Sequence, residues 1–265
     1  MKKFGLIGHP IAHSLSPALF KAAYEGRYPY DLIEEETFEK AYEKFLNEYD
    51  AINVTAPFKE AAYSRADIIT TDCKAVGATN LLIKTADGIK AYNSDFLGVR
   101  KWLMEVADKL NPPQMPGALR TVKVLIAGYG GAGKAAAAAA RSLGMEVSIV
   151  NRTAKDNDIY PLEEFCHEFR TSDIIIYNIP APIPQLDYLT EEDCKGGVVC
   201  KPKFVLEANY RNPSFTPERI RNIRKANSKV AFIDGRIWLL YQAVTGYEIM
   251  TGDYPDIDAM EKVMK

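Results

Sequence analysis

A glycine-rich segment in the middle of the chain has the residue types and spacing of a nucleotide-binding turn. It reads Gly-Tyr-Gly-Gly-Ala-Gly from Gly128 to Gly133. Glycine lets a backbone approach a pyrophosphate closely, and the start of a helix offers free N–H groups and the positive end of its dipole. Because an apolar strand precedes the turn and an alanine-rich helix follows it, the context favours a dinucleotide over a purely structural turn. The expected cofactor contacts are Gly128, Gly130, Gly131, Ala132 and Gly133.

The residues after the next strand indicate which dinucleotide would bind. An NAD site usually has Asp or Glu there, which binds the ribose 2′-hydroxyl. This chain has Asn151-Arg152-Thr153-Ala154-Lys155 instead. Two cations and a hydroxyl suit a 2′-phosphate, so the sequence predicts NADP as the cofactor. The alternative is a solvated basic turn, whose positive charge Asp156 and Asp158 reduce.

Four polar clusters in the first half carry side chains that could bind or transform a small molecule. They fall at predicted strand ends or turns, where open α/β sheets bind their ligands. Taken singly, each has an equally good structural explanation, with Ser16 and Asp95 as helix N-caps and Lys59 as an exposed first-turn residue. Together they predict a polar cleft facing a nucleotide, as in a small-molecule oxidoreductase. The clusters are His13–Pro17, Asn53–Lys59, Gly77–Asn80 and Asn93–Asp95.

Strands that alternate with helices must position these residues, and this alternation predicts an α/β protein built from crossover units. Three prolines between residues 112 and 116 cannot continue a helix, so they mark a linker and a domain border. Strands are expected at residues 4–8, 28–33, 51–54, 79–83, 122–127, 147–150, 174–177, 204–208 and 230–233. Helices are expected to start at residue 17, to cover 38–47, 59–66, 96–110 and 238–250, and to run from the glycine turn to 143.

Length, charge and cysteine content exclude several classes of protein. The 265 residues include 33 Lys and Arg against 35 Asp and Glu, a net charge of −2. This balance argues against a nucleic-acid or anionic-membrane partner. No apolar run reaches the roughly 18–20 residues of a membrane span. Four cysteines without a CxxC pair, and three histidines without ligand spacing, predict reduced thiols, a cytoplasmic location and no metal site.

In order and spacing, the motifs resemble those of the shikimate dehydrogenase family. The opening Gly5–Pro17 is similar to the first motif of that family, and Asn53–Lys59 matches its NVTxPxK element. The resemblance covers about residues 4–252 of the sequence. The further matching segments are Gly77–Asn80, Asn93–Asp95, the glycine turn, Asn151–Thr153, and Asp234–Gly235 with Gln242.

This resemblance implies a fold of two domains. An N-terminal α/β substrate-binding domain would cover residues 1–98 and be completed by residues 236–265. A doubly wound, Rossmann-type NADP-binding domain would cover residues 99–235. A C-terminal helix would therefore return to the first domain, and the protein would be a monomer or a homodimer.

The resemblance also implies an activity. The enzyme would reversibly reduce 3-dehydroshikimate to shikimate with NADPH, in the biosynthesis of chorismate and the aromatic amino acids. Lys59 and Asp95 would form the catalytic pair. A lysine that is hydrogen-bonded to the reacting oxygen can supply its proton, and a neighbouring carboxylate can orient that lysine.

Substrate-binding roles follow residue by residue from the same resemblance. Ser14 and Ser16 would bind the substrate carboxylate through their hydroxyls, with Tyr210 assisting. Three side chains would hydrogen-bond the ring hydroxyls, namely Thr55, Asn80 and Gln242. Gly235 joins the cofactor-binding residues.

Three departures from the family pattern concern the cofactor site, and one is Asp156, where the family often has a basic residue. The family usually has Asn-Ala-Thr-Ser-x-Gly-Met in its Rossmann domain, whereas Asn178–Pro184 here contains three prolines and so has fewer N–H donors. Trp238 stands where the family commonly has a methionine. Two alternatives therefore stay open: a related enzyme that accepts quinate or NAD, and a non-catalytic nucleotide-binding regulator.

Overall fold

Each of two units in the chain is built around a six-stranded β-sheet. The first unit comprises Met1–Gly98 and Leu239–Lys265, and the second comprises Val99–Trp238. The computed structural model describes residues 1–111, 121–153, 159–197 and 200–265. The prolines predicted to form a linker, at 112, 113 and 116, lie outside the described residues, and so does Lys155.

Strands and helices alternate through most of the chain. The strands are β1 (Phe4–Gly8), β2 (Tyr30–Glu34), β3 (Ala51–Val54), β4 (Ile68–Ile69), β5 (Leu81–Thr85), β6 (Gly88–Tyr92), β7 (Lys123–Ala127), β8 (Glu146–Val150), β9 (Ile159–Tyr160), β10 (Ile174–Tyr177), β11 (Lys203–Glu207) and β12 (Val230–Asp234). The α-helices are α1 (Ser16–Ala23), α2 (Phe38–Glu48), α3 (Lys59–Ser64), α4 (Thr71–Val76), α5 (Ser94–Leu110), α6 (Gly131–Ser142), α7 (Phe165–Thr171), α8 (Glu191–Lys195), α9 (Pro217–Ala226), α10 (Arg236–Thr251) and α11 (Ile257–Met264). Short 3₁₀ helices cover Leu162–Glu164 and Pro184–Asp187.

The first sheet has the strand order β2-β1-β3-β5-β6-β4 and mixes both pairing directions. β1 is parallel to β2 and β3, but β5 is antiparallel to both β3 and β6. Crossover units alone do not account for this sheet, because a two-residue turn at Ala86-Asp87 joins β5 to β6 as a hairpin, a connection that requires antiparallel strands. As a result, the start of β5 and the end of β6 lie at the same edge as the end of β3.

The second sheet is entirely parallel and has the order β12-β11-β10-β7-β8-β9. The chain leaves β7 toward β8 and β9, and then returns to the opposite side of β7 as β10. Strand order therefore reverses beside β7, and a doubly wound sheet binds its ligand at such a reversal. The glycine turn follows β7 directly. The α/β fold class predicted from the sequence is confirmed.

Apolar faces of helices cover both sheets. In α2, Phe38, Ala41, Tyr42 and Phe45 are buried and recur at helical spacing, so one stripe of the helix packs on the first sheet. In α6, the alanines between 135 and 140 are almost all buried. Within the part of the chain that the structure describes, no helix combines the length and the apolar content needed to span a membrane.

Candidate active site

A lysine and an aspartate form a close ion pair at the edge of the first sheet where β3 ends. Lys59 is the first residue of α3, and Asp95 lies in the first turn of α5. The Lys59 Nζ and the Asp95 Oδ2 are 2.5 Å apart, and the two side chains are only 25% and 17% exposed. α5 begins at Ser94, so Asp95 is not the N-cap of that helix. Partial burial strengthens the pairing, and the ammonium group is held where a bound molecule could accept its proton.

Beside this pair lies a hydrogen-bond network of three polar side chains, two of them buried. Asn80 and Ser94 are 4% and 0% exposed. The Asn80 Nδ2 donates to the Ser94 Oγ over 3.0 Å, and the Ser94 N–H donates to the Asn80 Oδ1 over 2.7 Å. The Ser94 hydroxyl also lies 3.3 Å from the Gln242 Oε1, its acceptor on α10. The network fixes the directions in which Asn80 and Gln242 can bind a hydroxyl group.

A close crossing of two helices brings Gln242 to this network. A Cβ on Gly98 of α5 would lie 2.5 Å from the Gln242 backbone nitrogen, so no larger residue fits at that position. Gly246 lies one helical turn after Gln242 and faces Ser94 and Asn53. A Cβ on Gly246 would lie 3.2 Å from the Ser94 Oγ. These two glycines therefore let α10 contribute to the site.

Two serines lie after β1 in the same unit. The Ser14 Oγ donates to the Ser16 Oγ over 3.2 Å and also accepts the Ser16 backbone N–H at 3.2 Å. α1 begins at Ser16 with Leu15 at its N-cap, so the predicted N-cap role of Ser16 is wrong by one residue. The Ser16 hydroxyl is thereby available for other partners, because it does not cap the helix.

Thr55 follows β3 and lies close to the end of β1. Its backbone N–H donates to the Ile7 carbonyl over 2.9 Å, which joins it to the first strand. A Cβ on Gly8 would come within 2.4 Å of the Thr55 methyl carbon, so glycine at this position permits the close approach. The first unit thus holds Ser14, Ser16, Lys59, Asn80, Asp95 and Gln242 together with Thr55.

The glycine turn of the second unit has the geometry of an anion-binding loop. Gly128 adopts a φ of +90°, and a Cβ on Gly133 would lie 2.0 Å from the Gly128 carbonyl oxygen, so both positions require glycine. No side chain caps α6 at its N-cap Gly130, and a Cβ on Gly130 or Gly131 would meet nothing within 4 Å. The first N–H groups of a helix have no partner within the helix, and no side chain caps those of α6, which fits the pyrophosphate of a dinucleotide.

The turn after β8 lies against this loop. The Asn151 Oδ1 accepts the Tyr129 N–H at 3.4 Å, and the Asn151 Nδ2 donates to the Thr153 carbonyl over 3.2 Å. Arg152 and Thr153 are exposed. Asn151 thus joins the glycine turn to the segment that carries the cation and the hydroxyl predicted to bind a 2′-phosphate.

Gly235 and Tyr210 lie at the carboxyl ends of β12 and β11. A Cβ on Gly235 would be 2.4 Å from the Glu207 carbonyl oxygen, so the two strand ends approach each other closely. Both residues line a cavity of about 290 Å³ in the second unit, together with Asn209. Tyr210 therefore belongs to the second unit, whereas the other side chains predicted to bind substrate belong to the first.

No group of three or more metal-ligating side chains is found among the residues that the structure describes.

Comparisons with known proteins identify the family. A shikimate dehydrogenase (NADP(+)) from Caldanaerobacter subterraneus subsp. tengcongensis is 32% identical over 97% of this chain and 94% of its own length. The chain belongs to the shikimate dehydrogenase family. The shikimate dehydrogenase (NADP(+)) of Pyrococcus abyssi is 28% identical over 99% of this chain and 97% of its own length.

Domain and structure comparisons agree with this assignment. Residues 6–82 match the shikimate dehydrogenase substrate binding domain, and residues 80–192 match the NAD binding domain of D-isomer specific 2-hydroxyacid dehydrogenases. The crystal structure of shikimate 5-dehydrogenase from Thermus thermophilus in complex with NADP(H) and shikimate is 25% identical to this chain. It superposes with a TM-score of 0.75 over 99% of this chain and 98% of that one.

The proline-containing segment that departs from the family pattern is held at several points. The Tyr177 hydroxyl donates to the Ala181 carbonyl over 2.8 Å, and the Asn209 amide donates to the Pro180 carbonyl over 3.1 Å. Ile179 lies beside Gly128 of the glycine turn, 3.0 Å from a Cβ built there. Apolar contact and two carbonyl anchors thus fix the segment against the predicted cofactor loop.

Sequence reasoning did not identify all the residues that build the site. It placed Ser94 in a polar cluster but gave it no role, although its hydroxyl bridges Asn80 and Gln242. It gave no role to Tyr30 or Tyr247 either. The position of Ser94 between Asn93 and Asp95 in a polar cluster is a sequence signal for a role in the site. The two tyrosines, in contrast, cannot be distinguished from core residues in a sequence.

Proposed function

We propose that this member of the shikimate dehydrogenase family is an NADP-dependent oxidoreductase that interconverts 3-dehydroshikimate and shikimate, in the pathway to chorismate and the aromatic amino acids. The observation that carries the proposal is the 2.5 Å pair of Lys59 and Asp95 beside the Asn80–Ser94–Gln242 network. Ion pair and network together provide a proton donor and hydroxyl-binding amides in one unit. The names of the relatives supply the substrate and the cofactor.

Lys59 is the proton donor in the reducing direction. Its ammonium group hydrogen-bonds the ketone oxygen, stabilises the developing alkoxide and transfers a proton to it. When bound, NADPH supplies the hydride that the carbonyl carbon gains. In the oxidising direction Lys59 takes the proton back from the hydroxyl, so that one proton and one hydride leave the alcohol.

Asp95 orients Lys59 and balances its charge. Because the Asp95 Oδ2 accepts one N–H of the ammonium group, the remaining N–H bonds can point toward the substrate. The carboxylate does not contact the reacting oxygen in this account. It is a positioning residue, and its effect on the rate acts through Lys59.

Substrate orientation is assigned to the polar residues around this pair. Asn80, Thr55 and Gln242 hydrogen-bond the ring hydroxyls, and Ser94 holds the two amides in place. Ser14 and Ser16 bind the carboxylate through their hydroxyls. Residues 1–98 with 236–265 would thus act as the substrate-binding domain.

Residues 99–235 would act as the NADP-binding domain. The open N–H groups at the start of α6 bind the pyrophosphate, and Gly235 lets the backbone approach the cofactor. Arg152 and Thr153 bind the 2′-phosphate, with Asn151 fixing the turn and Lys155 adding a cation. Arginine suits this role because its planar group can donate two parallel hydrogen bonds to a phosphate.

The test is an absorbance assay at the reduced-nicotinamide band with four substrate and cofactor pairs. Shikimate and quinate are each combined with NADP⁺ and with NAD⁺, and nucleotide binding is measured separately. The proposal predicts the highest kcat/KM for shikimate with NADP⁺. Nucleotide binding without turnover of any pair would instead identify a non-catalytic nucleotide-binding protein.

A further inference from the structure

Two tyrosines, of which Tyr247 is buried and Tyr30 is partly buried, pack against the helix that begins at Ser16. Tyr30 is the first residue of β2, and Tyr247, which is 2% exposed, lies near the end of α10. Both rings pack on Phe20 of α1, with centroids 4.6 Å and 4.8 Å from the phenylalanine ring. The tyrosine ring centroids are 6.1 Å apart. The two phenols thus form an aromatic layer with Phe20 directly under the start of α1.

One of the two phenol groups hydrogen-bonds Ser16, and the other hydrogen-bonds Asn53. The Tyr247 hydroxyl donates to the Ser16 backbone carbonyl over 3.2 Å, and the Tyr30 hydroxyl donates to the Asn53 Oδ1 over 2.8 Å. Burial raises the pKa of both phenols. The phenols therefore stay neutral and keep their protons throughout the range in which enzymes work.

The hydrogen-bond capacity of these groups defines a chain. A serine hydroxyl has one proton and two acceptor positions, and a phenol has the same. The phenol proton of Tyr247 goes to the Ser16 carbonyl, and that of Tyr30 goes to Asn53. Ser14 in turn donates to the Ser16 hydroxyl. The chain therefore joins Ser14 to the Ser16 hydroxyl, and Ser16 to Tyr247 through its backbone carbonyl.

We propose that Tyr30 and Tyr247 are positioning residues that hold Ser16 for a carboxylate ligand. This inference rests on the proposed function, in which Ser14 and Ser16 bind the carboxylate of the substrate. When the carboxylate arrives, the Ser16 hydroxyl turns its proton to the anion, while the Tyr247 hydroxyl keeps the Ser16 backbone in place through its carbonyl. A hydroxyl whose backbone is already fixed loses less conformational freedom on binding, which strengthens its bond to the carboxylate.

A second connection extends from the phenols to the rest of the site. Asn53, which accepts the Tyr30 proton, donates through its Nδ2 to the Asn80 carbonyl over 3.4 Å. Tyr30 therefore joins the aromatic layer of Phe20 and Tyr247 to Asn53, which in turn bonds to Asn80. One layer would fix the carboxylate-binding and hydroxyl-binding groups relative to each other.

The test compares Tyr247→Phe with a matched control, Tyr24→Phe. Tyr24 belongs to the same aromatic cluster, 5.1 Å from Phe20, but its hydroxyl bonds to the Asp253 carbonyl and to Thr251. Removing the Tyr247 hydroxyl is expected to raise the KM for shikimate about 5- to 10-fold, because one hydrogen bond that orients Ser16 is lost. The kcat and the KM for NADP⁺ should change less than about 2-fold, and Tyr24→Phe should leave all three constants unchanged.

Combining Tyr247→Phe with Ser16→Ala shows whether Tyr247 acts on Ser16 or on the stability of the fold in general. In a Ser16→Ala background, Tyr247→Phe is expected to cause no further rise in KM, because the group it orients is already absent. Equal rises in both backgrounds, or the same rise in Tyr24→Phe, would overturn the inference. If Tyr247→Phe does not fold, Tyr30→Phe is compared in the same two backgrounds with the same expected results.

The wild-type enzyme distinguishes this inference from the proposed function. A wild type that turns over shikimate while Tyr247→Phe keeps the same KM overturns only the positioning role. A wild type that turns over no substrate and cofactor pair overturns the proposed function, and the positioning role with it.

Discussion

At the scale of single residues, the site combines one charged pair with side chains that have no charge. Lys59 and Asp95 supply the charges, and the hydroxyls and amides around them supply hydrogen bonds in fixed directions. Such an arrangement suits a substrate that carries several hydroxyl groups and one anion. Mutations of the charged pair should therefore lower kcat, whereas mutations of the neutral side chains should raise the KM for substrate.

Ser14→Ala tests the neutral side chains. We expect the KM for shikimate to rise about 10-fold with kcat within about 3-fold of the wild type, because one hydrogen bond to a charged group is lost. Initial rates at varied shikimate measure both constants. Ser64→Ala is the control, since Ser64 is exposed on α3 and bonds only to the Glu60 carbonyl. An unchanged KM in Ser14→Ala would reject the carboxylate role.

Sequence reasoning and structure agree on single residues where a motif carries the chemistry. Lys59 and Asp95 are 36 positions apart, and the structure pairs them as the resemblance implied. Tyr30 and Tyr247 carry no such signal, because an aromatic side chain packed in a core leaves no functional pattern in the sequence. Their significance depends on contacts between strands and helices distant in the chain.

At the scale of elements, the second unit brings two turns together. Strands β7 and β8 are parallel neighbours, so the glycine turn after one and the Asn151–Thr153 turn after the other lie side by side. The first turn offers backbone N–H groups, and the second offers Arg152. A dinucleotide with a 2′-phosphate would contact both turns.

Arg152→Asp tests the second turn. We expect the Kd for NADP⁺ to rise about 30-fold or more, because a cation facing a phosphate becomes an anion. The Kd for NAD⁺, which has no 2′-phosphate, should change less than about 3-fold. Titration calorimetry with both nucleotides measures the two values. Arg221→Asp makes the same charge change at an exposed position of α9, and equal losses for both nucleotides would contradict a phosphate contact.

Most strands and helices could be predicted from sequence periodicity, but the pairing of the first sheet could not. The strand expected at residues 79–83 is β5 at Leu81–Thr85, and its partner β6 was not recognised. The Asp87-Gly88 step is a hairpin signal that would have identified it. This hairpin matters for the site, because it brings Asn80 and Asp95 to the edge where β3 ends.

At the scale of the whole molecule, the near-zero net charge coexists with a few buried charges. Lys203 is 1% exposed, and its ammonium group donates to the carbonyls of Phe169, Arg170 and Ser172 over 2.6–2.9 Å. Burial lowers the pKa of Lys203 to about 8 from the ordinary 10.5, although Asp173 nearby raises it in part. The folded chain therefore releases a proton at a pH where the unfolded chain keeps it.

Stability should consequently depend on pH through Lys203. Between about pH 8 and pH 10.5 the unfolded state binds the extra proton, so the contribution of Lys203 to the free energy of unfolding rises with pH. We expect the free energy of unfolding of the wild type relative to Lys203→Met to increase by roughly 1–3 kcal/mol over this range. Denaturant unfolding of both proteins at several pH values measures the difference.

The comparison with the variant is needed because buried tyrosines act in the opposite direction. Burial raises the pKa of Tyr24 and Tyr177 to about 12, so these groups lower stability as the pH rises above 10. They are present in both proteins and cancel in the difference. Lys225→Met, at an exposed position of α9, is the control for removing one positive charge. A difference that does not vary with pH would show that Lys203 is protonated equally in both states.

The central claim is that Lys59 transfers the proton in a reaction of shikimate with NADP⁺, and the kinetics of Lys59→Ala test it most directly. We predict that kcat falls at least about 100-fold while the KM for shikimate changes only a few-fold. Lys74→Ala, at an exposed position on α4, should behave like the wild type. An unchanged kcat, or a change in KM alone, would contradict the claim, because Lys59 would then bind substrate without taking part in the chemistry.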